Sequence, residues 1–259
     1  DVYKRQKNYR IKMIFLVTYW LVGLVISVCL SVWLIKKERD LGYTFLVTLS
    51  AGYIVFANIL TPRMIQIDVG IEQLTIATGS LIWPFTAQLA DMINEIYGRK
   101  KTVYAFLFGY IINLLFVIFI LMTSKTVPQW SYEEEFFWRK YFFPSTRILF
   151  ASTISFIVCS LIDIYSFSFL KNKFMDKEDN SGVKVLAYWG GLRNVTSDIL
   201  NMLCDGILFA IIAFVYILPK EVLFNLIISS TILKVTMSVI DTPLFIFFRI
   251  KTRKVIRET

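Results

Sequence analysis

The chain of 259 residues is 56% hydrophobic and 16% aromatic, with a mean hydropathy of +0.62 and a formal net charge of +9. Its apolar residues fall into long runs instead of alternating with polar ones, the pattern of a multi-pass membrane protein. The cations collect in short connections between those runs, where they set topology, so the basic balance does not signify nucleic-acid binding.

Other absences narrow the chemistry. There is no histidine, which excludes HExxH zinc sites, Ser-His-Asp triads and imidazole proton shuttles. Cys29, Cys159 and Cys204 all lie inside apolar runs without a CxxC pattern, so they read as small core residues and not as a disulfide framework.

The first six residues, DVYKRQ, read as the translation of a sequencing-adapter end, so residues 1–10 are set aside as a leader. Seven apolar segments follow, at about 12–35, 42–61, 76–97, 102–123, 147–170, 185–218 and 222–249. Each approaches the ~20 residues a helix needs to cross ~30 Å of hydrocarbon. The sixth is too long, which predicts that its first turns lie at or below the cytosolic interface.

Two connections carry features of their own. Thr61 to Thr75, TPRMIQIDVGIEQLT, alternates partly and holds a glycine; a plain connector is the simpler expectation, a short extended turn or re-entrant lid the other. Pro128 to Pro144 carries Glu133, Glu134 and Glu135 with Trp130 and Trp138, read as a solvated charged face and an interfacial aromatic belt.

Loop charge gives an orientation. One alternate set of connections, which includes Arg99 to Lys101 and the tail from Arg249, holds fifteen cations, and the other set, from Lys7 onward, holds eight. The richer set is expected inside, which puts the C-terminus in the cytosol.

Polar residues within the helices locate the chemistry. Gln88, Asp91 and Glu95 share one helical face at spacings of three and four, and Asp198, Asn201 and Asp205 repeat that pattern. Carboxylates there are expensive, at least ~2.5 kcal/mol for a central Asp, and need a partner or a ligand. Asp205 and Lys234 both fall ~18 to 20 Å from the outer ends of their helices, so they can meet at mid-membrane, as a structural ion pair, as ligand contacts, or as both. Asp91, Asp163 and Asp241 fall nearer the cytosol and are expected to share a layer, with Ser152, Ser155 and Cys159 leading towards Asp163 and Ser238 and Thr242 around Asp241. Glu95 lies so near Gly98 and Arg99 that an interfacial anchor paired with the cationic turn is its expected role.

A channel, a transporter and an intramembrane enzyme could all use such stripes. Asp91 follows Ala90 and Asp205 follows Cys204, so neither offers the GxGD turn of an intramembrane aspartyl protease, and an enzyme is not expected. A selective pore favours repeated rings of like groups, which a single chain without internal repeats does not supply. A pocket for a polar, planar, largely uncharged solute fits best: carboxylates and amides satisfy its hydrogen-bonding edge, while Trp83, Phe85, Tyr188 or Trp189 could stack on its faces.

The blocks NILTPRMI, DMINEIYGRKKT, TRILFASTISFIVCSLIDIYSF, NVTSDILNMLCDGILFAIIAF and LKVTMSVIDTPLF occur in that order. Together they resemble the signature blocks of the queuosine precursor transporter family, also called the VUT or YhhQ type, over about residues 42–252. The E-x-Y-G-R-K ending and the D-x-x-x-F-x-x-I-A-F block are the most specific. The resemblance implies an all-α polytopic bundle, with a six-helix core at 42–252, similar to the substrate-binding subunits of energy-coupling-factor vitamin transporters. Residues 11–41 would be an accessory N-terminal helix and turn, and 253–259 a basic cytosolic tail.

The implied function is import of 7-deazaguanine bases, such as 7-cyano-7-deazaguanine or its aminomethyl form, across the cytoplasmic membrane. The alternatives are a vitamin-type binding subunit that depends on a coupling partner, or a non-transporting scaffold. The substrate-binding candidates are Asn58, Gln88, Asp91, Asp163, Asn201, Asp205 and Lys234, followed by Trp83, Glu95, Arg147, Arg193, Ser197 and Asp241. No cofactor or metal is expected, and the partners are the purine-like base and the bilayer. Gly206 stands after Asp205 where a Thr is usual in the family, which leaves open the source of a hydroxyl there. Helix two lacks the Ala-xxx-Ala surface with which vitamin-binding subunits dock on a coupling protein, which leaves the energy source open.

Overall fold

The computed structural model describes residues 2–61, 63–68, 73–129, 131–142, 146–179 and 183–257. The chain is an all-α membrane bundle with one small hairpin: α1 (Val2–Lys37), α2 (Arg39–Leu60), β1 (Met64–Asp68), β2 (Gln73–Ala77), a 3-10 turn (Thr78–Leu81), α3 (Trp83–Thr123), α4 (Tyr132–Phe142), α5 (Thr146–Asp179), α6 (Val183–Phe214) and α7 (Lys220–Arg257).

Six stretches among the described residues are long and apolar enough to cross a membrane, and one of them, Thr78–Thr123, is twice the needed length. Inside it Gly98 adopts φ 80° and ψ 167°, a backbone conformation that breaks the helix and is essentially confined to glycine. The break folds α3 back on itself. Trp83 and Tyr110 would be ~40 Å apart on a straight helix, yet both rings lie 4.7 Å from the Phe156 ring. Residues 83–97 and 99–123 are therefore neighbouring antiparallel crossings, and the sequence segments 76–97 and 102–123 are two legs around one glycine.

The expected boundaries shift elsewhere. α6 ends at Phe214, not 218, because Tyr216 turns to a positive φ of 69°. α5 runs to Asp179, well beyond 170, and its extension packs on the start of α6, where Phe174 stacks on Trp189 at 4.5 Å. The connection after α2 is not a plain link: β1 and β2 pair antiparallel, with Met64 opposite Ala77 and Asp68 opposite Gln73. α4 begins with a capping box, in which the Ser131 amide and hydroxyl donate to Glu134 at 2.8 and 2.9 Å. Those bonds hold the Glu134 carboxyl below the usual carboxylate range.

Packing divides the helices into a lipid face and a core. On the second leg of α3, Leu107, Phe108, Ile111, Leu114, Phe119 and Met122 are exposed, as expected where lipid replaces water. Inward, Leu89, Ile93, Phe106, Phe156, Phe167, Phe245 and Phe248 form one cluster. α1 closes its side: the Trp20 indole donates to the Leu81 carbonyl at 2.8 Å and meets Phe85 edge-on, and Ser27 bonds Tyr53 at 2.6 Å.

Candidate functional site

Polar side chains enter the bundle from α3, α5, α6 and α7 in three layers. The first centres on Asp205, whose two carboxylate oxygens have separate donors. Ser155 on α5 donates to Oδ1 at 2.7 Å and Lys234 on α7 donates to Oδ2, so the two groups expected to meet at mid-membrane form a buried ion pair. The Lys234 ammonium also lies 5.4 Å over the Trp83 ring, a cation–π contact. A hydroxyl does lie beside Gly206, from Thr231 on α7. A Cβ at 206 would sit 2.3 Å from Thr231 Oγ1, so α7 fills the space from its own side.

The middle layer is acidic. Asp91, Asp163, Asp198 and Asp241 are each 1% exposed or less. Asp198 is the hub: its charge reaches Asp91, Asp163 and Asp241 in turn. Asn194 Nδ2 donates to Asp91 at 2.5 Å and reaches Asp198 at 3.5 Å, and Ser238 Oγ donates to Asp198. Ser197 and Asn201 serve Asp163, and Gln88 donates to the Asp241 carbonyl at 3.2 Å. Donors nevertheless run short. One oxygen each of Asp91, Asp163 and Asp198, both of Asp241, and the amide oxygens of Asn194 and Asn201 have no hydrogen-bond partner among the described residues. Native interiors leave few buried polar atoms in this state, and seven acceptors gathered in one layer call for a donor.

The third layer has the opposite character. Glu95, 2% exposed, receives the Arg193 guanidinium on one oxygen and Arg249 Nε on the other at 2.7 Å, while Lys171 lies 3.7 Å away and donates to the Glu95 carbonyl. Beside it Asn94 donates to the Ile164 carbonyl at 2.9 Å and accepts from Ser168 at 3.0 Å. Three cations around one carboxylate leave this layer net positive, directly beneath the acidic one. Glu95 is thus no interfacial anchor on the cationic turn: its partners come from α5, α6 and α7, and Arg99 lies over the Tyr165 ring at 4.8 Å instead. Helix rotation decides this, since Glu95 faces the bundle axis while the turn beyond Gly98 leaves it.

Other expected residues lie elsewhere. Asn58 donates to Asn113 at 2.6 Å, joining α2 to the second leg of α3. Phe85 is held edge-on by Trp20 and Tyr53 at 5.4 and 5.0 Å. Tyr188 is 65% exposed and Trp189 stacks on Phe174, whereas Trp83 lies against the Lys234 ammonium of the Asp205 layer. The side chain of Arg147 lies outside the described residues. Asn194 was missed, although it precedes Asp198 by four and so continues the stripe through Asn201 and Asp205. Asp198 lies on that stripe too, where its spacing alone does not set it apart from Asn201 and Asp205.

Comparison with known proteins gives a consistent picture. A family model described as "Putative vitamin uptake transporter" matches residues 77–248. A "Probable queuosine precursor transporter" of Bacillus subtilis (strain 168) is 25% identical over 197 residues, covering 74% of this chain and 79% of the relative. No solved structure matches.

Proposed function

This chain belongs to the vitamin uptake transporter family, and on that premise we propose that it imports queuosine precursors, 7-deazaguanine bases, across the cytoplasmic membrane. The matched Bacillus relative supports this substrate class by its description. In the proposed orientation the C-terminus is cytosolic, with the outer layer of Asp205 and Lys234 towards the exterior and the Glu95 layer towards the cytosol.

The observation that carries the reading is the surplus of buried acceptors in the middle layer. A guanine-like base presents the complement: a ring N–H and an exocyclic amine on one edge, and a further N–H on the five-membered ring. A carboxylate takes the first two as a bidentate pair, as it does from a guanidinium. Asp241 has both oxygens unpartnered to do so and Asp163 has one for a further N–H, Asn201 and Gln88 have amides for the base carbonyl, and Trp83 offers a ring face above. Asp205 and Lys234 saturate each other, so their role is to close the outer side of the pocket and neutralise it.

The test is genetic and chemical at once. A host that cannot make queuosine precursors, with its own importer deleted, expresses the chain and is given 7-cyano-7-deazaguanine. Queuosine-modified transfer RNA should reappear with the wild-type chain and stay absent with Asp163→Asn present at equal membrane abundance. No recovery with the wild type overturns the reading.

A further inference from the structure

The middle layer holds more negative charge than a neutral base can answer. Asp198 interacts electrostatically with Asp91, Asp163 and Asp241 in turn, and among the described residues the donors to these carboxylates are neutral amides and hydroxyls. The charged groups around them divide sharply. Above are Asp205 on α6 and Lys234 on α7, which neutralise each other. Below are Glu95 on α3, Lys171 on α5, Arg193 on α6 and Arg249 on α7, in which three cations answer one carboxylate. On α2 the titratable Tyr53 is bonded to Ser27 of α1. Of the cations, Arg193 is the one whose charge reaches Asp91.

Several carboxylates cannot all be ionised together in so dry a place, because a buried charge without a counter-charge is costly and the group neutralises instead. A bound base cannot remove the excess: its donor edge engages about two oxygens and adds no charge. A multivalent metal ion does not fit either, since among the described residues no three acidic or thiol side chains converge as metal ligands. Protons do fit. A proton needs only one pair of close oxygens, and the carbonyl oxygens of Asn194 and Asn201, both 2% exposed or less and without a donor, are acceptors for carboxyl O–H groups.

We propose that the middle layer is a proton-binding site, and that its carboxyl groups take protons from the outer side and release them to the cytosol together with the imported base. The inference rests on the import reading for its second half only. In the outward-open state a carboxylate oxygen of the layer bonds a proton delivered by external water, and the O–H donates to an Asn oxygen or a neighbouring carboxylate. In the inward-open state that O–H bond breaks, the proton passes to cytosolic water, and the carboxylate left behind faces Arg193 and the net-positive inner layer. No other reactant is required.

Two measurements on the full-length protein decide it. Infrared spectroscopy of the purified chain near neutral pH should show carboxylic-acid carbonyl bands that shift in deuterium oxide, and Asp163→Asn and Asp241→Asn should each remove part of them. Absence of such bands in the wild type overturns the proton site, whatever the transport result. Proteoliposomes are then given 7-cyano-7-deazaguanine, which is neutral, so that any charge moved with it belongs to a coupled ion. An inward gradient of one pH unit should support about tenfold accumulation if one proton accompanies each base. Uptake driven by a sodium gradient, or indifferent to the proton gradient, overturns the coupling. If no base enters under any gradient, the import reading fails while the infrared bands still decide the site.

Discussion

Lys234 on α7 donates to the same carboxylate, Asp205 on α6, that Ser155 on α5 approaches from the other side, so one residue ties three helices. Both charged side chains are 8% exposed. The pair closes the outer layer while the acidic layer beneath it lacks donors, and that contrast organises the predictions.

Removing one partner of this pair leaves the other buried and uncompensated, which typically costs about 3 to 5 kcal/mol. Asp205→Asn and Lys234→Met should each lower the thermal unfolding midpoint of the detergent-solubilised protein substantially. The double substitution should recover most of the loss. Additive single losses would show that the two residues act separately.

Glu95→Gln is expected to be at least as damaging, because it strips the shared carboxylate from Arg193 and Arg249. The variant should be depleted from the membrane fraction, and Arg249→Gln on the same background should partly restore it. Neutral behaviour of Glu95→Gln would contradict the role given to the inner layer.

Gly206→Thr should destabilise this chain by about 1 to 3 kcal/mol through overpacking, since the added Cβ meets Thr231 Oγ1 at 2.3 Å. Adding Thr231→Ala should relieve the clash and move the hydroxyl from α7 to α6. Thermal unfolding of the single and double variants reads both effects.

Gly98→Ala has open space around it, so only the backbone is strained. A cost of about 1 to 3 kcal/mol follows from holding a Cβ-bearing residue at such dihedrals. Reduced thermal stability at unchanged membrane insertion is the expected result.

The sequence carried the crossings and their depths. Apolar run lengths give each segment, and ~1.5 Å per residue placed Asp205 and Lys234 at one level, where they pair. Depth is an axial coordinate, however, and partners depend on rotation about the axis as well. Glu95 was therefore assigned to the cationic turn when its face points to α6 and α7, and Asp198 was one carboxylate on a stripe until four helices brought Asp91, Asp163 and Asp241 around it. The β1–β2 hairpin was legible only as partial alternation. Asn58 shows the same limit: its position was polar and conspicuous, but its partner Asn113 lies 55 residues away on the second leg of α3.

Equilibrium binding to the middle layer tests the central claim most directly. The purified chain is titrated with 7-cyano-7-deazaguanine while its thermal unfolding is followed, with adenine as the control base. At one hundred times the dissociation constant the guanine-like base should add about 2.7 kcal/mol of stability, adenine should add none, and Asp163→Asn should lose the response while still folding. A stabilisation that survives Asp163→Asn and Asp241→Asn undiminished, or none in the wild type, would contradict the assignment of the acidic layer as the place where the base is read.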